Sequence, residues 1–486
     1  MPFLDRLQHW AAVQPNAHAV TIGSARLSYA ELVERSRLLV RDRARESSPG
    51  PTVLCRPNGL DFVVDFVAAV AGDGRVAVLD PAWPAGQRSA VERLLRATGQ
   101  PPTALPGNAA TPAAATPLRD GPPDSIFLYG FTSGTTALPR SFTRTRESWQ
   151  RAFAASSDRF DLTAADRVLA PGPLSASLNL YALAETLYAG AAFHTLPLFD
   201  VGEALAAIQR AGVTRVCAVP TALRLLGERG IVAGVDGDAI TGIVSAGARL
   251  DGVTLASVRA WAPRATVFDY YGAAELSFVA ARRLGPGEHR PESPTAVGRP
   301  FPGVEVRILD EAGRASAPGA TGTIAVRSRL VSAGYAWGDD GTAFTRAGEW
   351  CTVGDQGHLD ATGELHFEGR RADMIVTSGH NVYPQEVEST LLSGLARPAA
   401  QLVVTGLPDA RRGTLVVAAL FEAFGPGIPP ATRAALRTAA VELAGPKRPR
   451  GYYRISELPL TGAGKISRSL LAAWITEGDP RVTRLD

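Results

Sequence analysis

Tyr129-Gly130-Phe131-Thr132-Ser133-Gly134-Thr135-Thr136-Ala137-Leu138-Pro139-Arg140 follows directly on Ser125–Tyr129, a short run that reads as a buried strand. The strand feeds a loop of glycine and small hydroxyl residues that ends at a cation. Such a loop turns consecutive backbone N–H groups toward one anion, while the hydroxyls and the arginine add charge-assisted contacts. Thr132, Ser133, Gly134, Thr135, Thr136 and Arg140 are therefore read as a phosphate cradle in preference to a polar surface loop. It is not a GxxxxGK[ST] loop, because that spacing occurs nowhere in the chain.

Working outward, strand-like and helix-like periods alternate from about Leu27 to Tyr271. Arg167–Ala170, Thr214–Val219, Ala239–Ser245 and Thr266–Tyr270 read as strands. Glu147–Phe160, Asn179–Ala189, Glu203–Ala211 and Val253–Trp261 read as helices, two of them stopping at Gly190 and Gly212. Repeated units of this kind predict parallel sheets covered by helices. After about Gly298 the pattern changes to short strands and turn clusters: Val304–Leu309, Thr323–Arg327 and a hairpin over Gly357–Gly369. Beyond Arg370 a β-α-β-β-α pattern is long enough for a small domain. The fold class is α/β: a large N-terminal domain over 1–369 with parallel-rich sheets and a β-hairpin region. A hinge at 370–373 leads to a small mobile α+β domain over 374–486. Gly99–Asp124, with seven prolines, reads as an exposed connecting loop.

Composition removes other classes. The 486 residues are 45% hydrophobic and 20% charged, with 50 basic against 47 acidic side chains and a net charge of +3. That is a globular balance, and no basic run with interleaved aromatics points to nucleic acid. Cys55, Cys217 and Cys351 form no CxxC pair, and the seven histidines show no HxxxH or HExxH spacing. Met1–Trp10 carries charges where a signal peptide is apolar, and the longest apolar stretch is too short to span a bilayer. A soluble cytoplasmic protein with no membrane partner is expected; oligomeric state is not legible.

Three further segments carry chemistry. Asp269-Tyr270-Tyr271-Gly272-Ala273-Ala274-Glu275 lies at the C-terminal end of a strand, where open α/β sheets bind ligands. An aromatic followed by glycine suits stacking on a planar base, and Glu275 suits a metal ion. By itself an aromatic-glycine pair at a strand end more often reflects packing and a turn. Trp350-Cys351-Thr352-Val353-Gly354-Asp355, with Gly369-Arg370, places a carboxylate and an arginine at the two sides of a hairpin. They read either as a grip on ribose and phosphate or as a turn aspartate and a solvated arginine. Leu458-Pro459-Leu460-Thr461-Gly462-Ala463-Gly464-Lys465-Ile466-Ser467-Arg468 presents one of only two lysines, the other being Lys447, against 48 arginines. A lysine kept amid that bias suits a site where one compact cation must meet a single oxygen.

These four segments, in this order, resemble the adenylate-forming enzymes: acyl- and aryl-CoA synthetases, nonribosomal peptide adenylation domains and luciferases. Leu27-Ser28-Tyr29-Ala30-Glu31-Leu32, Leu79-Asp80-Pro81-Ala82-Trp83-Pro84, Ser245-Ala246-Gly247-Ala248, Val297-Gly298-Arg299-Pro300 and Gly379-His380-Asn381-Val382-Tyr383-Pro384-Gln385-Glu386-Val387-Glu388 add to the resemblance. It covers about Leu27 to Leu471. It implies an ATP-dependent ligase in which a carboxylate attacks the α-phosphate of Mg-ATP, pyrophosphate leaves, and the acyl group passes to a second nucleophile. By the same resemblance Thr132–Thr136 hold the phosphates, Thr136 acting in catalysis with Glu275, Arg370 and Lys465. Tyr271 lies along the adenine, beside Tyr270 and Gly272, with Asp269 near its amino group. Glu275 holds Mg2+, Asp355 the ribose, and Lys465 the reacting oxygens. The small domain then rotates to admit the acceptor.

Several positions depart from the pattern: Ala137 and Ala274 replace a glycine and a threonine, and Ala372 replaces a charged pivot. The acid pocket is assigned to Ser175, Ser177, Asn179, Tyr181, Ser245, Ala246 and Gly247. Pro173–Tyr181 contains no carboxylate to meet an α-ammonium, so an aryl or short polar acid is expected over an α-amino acid. Coenzyme A is the expected acceptor. An amine, a thiol of a separate carrier protein, nitrite activation by a diazotase, and a degenerate nucleotide-binding homologue remain open.

Overall fold

The computed structural model describes residues 3–43, 50–98, 118–132, 138–288, 295–339, 341, 343–393, 395, 400–422, 431–460 and 466–485. The expected alternation is present as parallel structure. Ala192–Thr195, Arg167–Leu169, Arg215–Ala218, Gly242–Ser245 and Thr266–Ala273 lie side by side in that order. Helices Ser177–Ala189, Val201–Ala211, Pro220–Ala233 and Gly252–Trp261 connect them. Asp200 and Asp251 cap two of these helices by accepting from the N–H groups of Glu203 and Thr254. Gly190 and Gly212 end two helices at φ of 84° and 58°, a backbone that any Cβ disfavours. The strand expected from Ala239 begins only at Gly242, because Ile240 N–H bonds the Gly237 carbonyl in a local turn.

Ser277–Leu284 reverses the direction and opens the hairpin region, in which Glu305–Leu309 pairs Gly322–Arg327 and Asp355–Leu359 pairs Leu365–Arg370, all antiparallel. Among the described residues fifteen strands join in this one sheet. A second sheet holds Thr52–Leu54, Val76–Val78, Ile126–Thr132, Arg140–Thr145 and Gly334–Trp337. Its Arg140–Thr145 strand is not read in the sequence, where the cation at Arg140 closes the loop. The segment instead turns back antiparallel along Ile126–Thr132. Buried cores fill the space between sheets and helices, with Phe62, Phe66, Phe127 and Phe153 fully covered.

Past Arg371–Asp373, a single 3-10 turn, Ile375–Thr377 pairs His380–Val382. Ala400–Asp409, Gly413–Glu422, Gly451–Ile455 and Val482–Arg484 then form a four-stranded sheet. Its apolar cores draw only on residues beyond position 374. No helix among the described residues is long and apolar enough to cross a membrane.

Candidate active site

The hairpin Ile126–Thr132 and Arg140–Thr145 places Thr132 directly opposite Arg140. The two strand ends that flank residues 133–139 therefore lie side by side. Ser133, Gly134, Thr135 and Thr136 lie outside the described residues, as does Lys465. The other lysine, Lys447, is committed: its Nζ lies 2.7 and 2.8 Å from the two Glu386 oxygens.

Asp355 and Arg370 face each other across their hairpin, so their side chains share one face. Asp355 is 2% exposed. Its Oδ2 accepts the Tyr271 phenol at 2.6 Å, and Arg370 Nε stands 3.3 Å from Oδ1. Oδ1 is buried without a hydrogen-bond partner among the described residues. Burial pushes the Asp355 carboxyl above its ordinary range, and the Arg370 charge opposes the rise. The Tyr271 phenol is pushed up by burial first and then by the Asp355 charge. Tyr271 stacks on Phe367 at 5.2 Å. Asp269 is buried between Ser245 on one neighbouring strand and Arg282 on the other. Alternation along the strand sends Tyr270 to the opposite face, where it meets Phe160 and Phe278. Gly272 marks a register shift; a Cβ there would lie 2.1 Å from the Ser277 carbonyl oxygen.

Glu275 follows that turn and is buried. The Tyr335 phenol donates to its Oε1, and the Thr132 hydroxyl also bonds Tyr335. Arg144, wholly enclosed, donates to the carbonyls of Ala274, at 2.5 Å, and Leu330. Burial lowers this guanidinium to about 10, with Glu275 as the first charge opposing the fall. Thr132, Tyr335, Glu275 and Arg144 thus form one cluster beside the phosphate hairpin.

The residues read as an acid pocket differ in burial. Ser177 is exposed at the start of its helix and Ser175 half-buried before it. Asn179 is buried with its amide against Gly172. Ser245 is fully buried, its hydroxyl without a partner among the described residues, Ala246 is buried, and Gly247 adopts φ of 83°. Tyr181 points inward, its Oη 2.9 Å from Ser156 Oγ. One turn further along the same face, Glu185 Oε1 also bonds Ser156.

The family model described as AMP-binding enzyme matches residues 87–336. The chain belongs to the AMP-binding enzyme family. It is an ATP-dependent, adenylate-forming ligase. An uncharacterised acyl-CoA ligase of Bacillus subtilis strain 168, YhfT, is 30% identical over 456 residues, 90% of each chain. The amide bond synthetase McbA from Marinactinospora thermotolerans superposes with a TM-score of 0.75 at 27% identity, covering 96% of this chain and 99% of that one. The anthranilate CoA ligase AuaEII, solved with anthranoyl-AMP, shares the fold with a TM-score of 0.83 at 21% identity, covering 98% and 97%.

Three residues in these clusters of this AMP-binding enzyme escape a reading of the sequence: Tyr335, Arg144 and Glu185. Arg144 carries no signal in a chain with 48 arginines. Tyr335 lies sixty residues from Glu275, so nothing local links them. Glu185 was within reach, since it stands four residues after Tyr181 on a helix and therefore on the same face.

Proposed function

We propose that this AMP-binding enzyme adenylates an aryl or short polar carboxylic acid, releases pyrophosphate and passes the acyl group to coenzyme A. Asp355 carries the reading. A buried carboxylate with one oxygen on Tyr271, and the other facing Arg370 at 3.3 Å without a hydrogen bond among the described residues, is prepared to accept a ribose hydroxyl. ATP then lies with adenine along Tyr271, its amino group toward Asp269, and its phosphates toward Thr132–Thr136 and Arg140.

Oxygen donors suit magnesium, which commonly takes one or two carboxylates and completes its shell with substrate phosphates and water. Glu275 and the Thr132 hydroxyl, both bonded to the Tyr335 phenol, fit that requirement. When bound, the ion supplies charge neutralisation at the phosphates. The acid's carboxylate oxygen attacks the α-phosphorus as the bond to pyrophosphate breaks, and Lys465 meets the oxygens where charge shifts. Next, the coenzyme A thiol adds to the acyl carbon and AMP departs with the electron pair of the broken C–O bond. The segment 370–373 serves as the hinge between 1–369 and 374–486, exchanging Lys465 for the acceptor between steps.

Pyrophosphate release from Mg-ATP across aryl, fatty, dicarboxylic and amino acids, with and without coenzyme A, tests the reading. One acid class should drive release, with thioester formed only when coenzyme A is present. No release with any acid would overturn the proposal. The 27% identity to an amide bond synthetase favours a second reading with an amine as acceptor. Adenylate that yields amide but never thioester would select it.

A further inference from the structure

A cavity of about 540 Å³ opens beside strands Ser277–Leu284 and Ala296–Pro300 and the turn at 360–364, a volume typical of small-molecule sites. It lies away from the residues assigned to the nucleotide. The turn joins the ends of Asp355–Leu359 and Leu365–Arg370 that are remote from Asp355 and Arg370, roughly 15 Å along the strands. Leu284, on another wall, pairs Val267 near the start of strand Thr266–Ala273, whereas Glu275 follows the end of that strand. Arg282 stands opposite Asp269, but its guanidinium is held at the turn by Glu364.

Four arginines line this cavity, and two of them are matched. Arg282 donates to Glu364 Oε1 at 2.8 and 2.6 Å, and Arg283 meets Asp161 at 3.0 Å. Glu288, the other lining carboxylate, accepts the Gly285 N–H, and its charge faces Arg259. Arg159 and Arg299 are left without a carboxylate partner among the described residues. They converge on one backbone position: Arg159 donates to the Ala281 carbonyl at 3.1 Å, and Arg299 is the cross-strand neighbour of Ala281. Arg283, two residues on from Ala281, lies on the same face of that strand. Three guanidinium groups therefore gather about Ala281, two of them with uncompensated charge. Ala281, Leu284, Gly287 and Gly298 give the walls an uncharged stretch beside them.

We infer that this cavity is a second ligand site, separate from the nucleotide, that binds a small organic phosphomonoester. Near neutral pH such a phosphate carries close to two negative charges, matching the two uncompensated guanidinium groups, where a carboxylate carries one. Its oxygens accept from the planar forks of Arg159 and Arg299. Arg283 adds to the positive field, and the carbon body rests against Ala281 and Leu284. The site is independent of which acid or acceptor the ligase uses.

Calorimetric titration of the full chain with glycerol 3-phosphate, in phosphate-free buffer, tests the inference. One site should fill with a Kd below about 1 mM and weaken as sodium chloride is raised, while glycerol gives no heat. Arg159→Gln and Arg299→Gln should each weaken binding at least about fivefold. Glu288→Gln removes a negative charge from the lining and should tighten binding about twofold or more, a gain that damage to the fold cannot produce. Asp355→Asn, at the proposed ribose contact, should leave the affinity unchanged, and Arg299→Gln should leave KM for ATP within about twofold. No heat with glycerol 3-phosphate, or an unchanged affinity in both arginine variants, overturns the inference. Binding lost in Asp355→Asn but kept in the arginine variants puts the probe in the nucleotide site and overturns it too. The titration uses neither an acid nor coenzyme A, so failure of the ligase reading leaves its outcome untouched.

Discussion

Replacing Asp355 by asparagine keeps the shape of the proposed ribose contact and removes its charge. In the structure Oδ2 already holds the Tyr271 phenol at 2.6 Å, while Oδ1 faces Arg370 Nε at 3.3 Å and accepts no hydrogen bond among the described residues. A hydrogen bond to a charged partner contributes about 1.5–3 kcal/mol and a neutral one about 1 kcal/mol. The difference, roughly 0.5–2 kcal/mol, corresponds to about a 2–30-fold rise in KM for ATP. The ribose is remote from the phosphorus, so the contact is equal in ground and transition states, and kcat should stay within about threefold. Stability should move the other way. Burial holds the Asp355 carboxyl above its ordinary 3.8, so the folded state favours the protonated form. The ionised carboxylate therefore lowers stability as pH climbs from 3.8 through the higher folded value. The asparagine amide never ionises, so Asp355→Asn should melt at or above the wild-type temperature at neutral pH, the gain shrinking as pH falls toward 3.8. Initial rates of pyrophosphate release against ATP, with thermal unfolding across pH, read both effects. An unchanged KM for ATP, or a lower kcat at constant KM, would refute the placement of ribose on Asp355.

Lys465→Ala should abolish acid-dependent pyrophosphate release while circular dichroism shows an intact fold; undiminished activity would mean that another cation meets the reacting oxygens. Lys447→Ala breaks only the ion pair with Glu386, so adenylation should stay within about twofold and stability within about 1 kcal/mol. Tyr335→Phe strips the phenol from Glu275, and the magnesium concentration giving half-maximal rate should shift by roughly fivefold or more, with ATP affinity less affected. Arg144→Met leaves the Ala274 and Leu330 carbonyls buried without their donor, and urea unfolding should register a loss of about 2 kcal/mol or more.

Much of the fold follows from local chemistry that a linear chain displays. Apolar periodicity marks the helices Ser177–Ala189 and Val201–Ala211, and Gly190 and Gly212 end them because left-handed backbone needs no partner to be specified. The segments around Thr132, Tyr271, Asp355 and Lys465 stand out as candidates in the sequence, since each is a short run whose residue types suit one ligand group. The return strand Arg140–Thr145 was not, because its place depends on pairing with Ile126–Thr132 and Gly334–Trp337.

The sequence by itself determined the family and the alternating architecture, and it named candidate residues for ATP. Only the tertiary structure decided which of them meet. Tyr271 finds Asp355 across 84 positions, Tyr335 finds Glu275 across 60, and Arg144 finds Ala274 across 130. Tyr270 and Tyr271, adjacent in the chain, part to opposite faces of one strand, and which face borders the nucleotide depends on the sheet around them. Burial is just as non-local: Asp355 and Glu185 are ordinary carboxylates in the sequence, and only the packing that excludes water from them shifts their proton affinity.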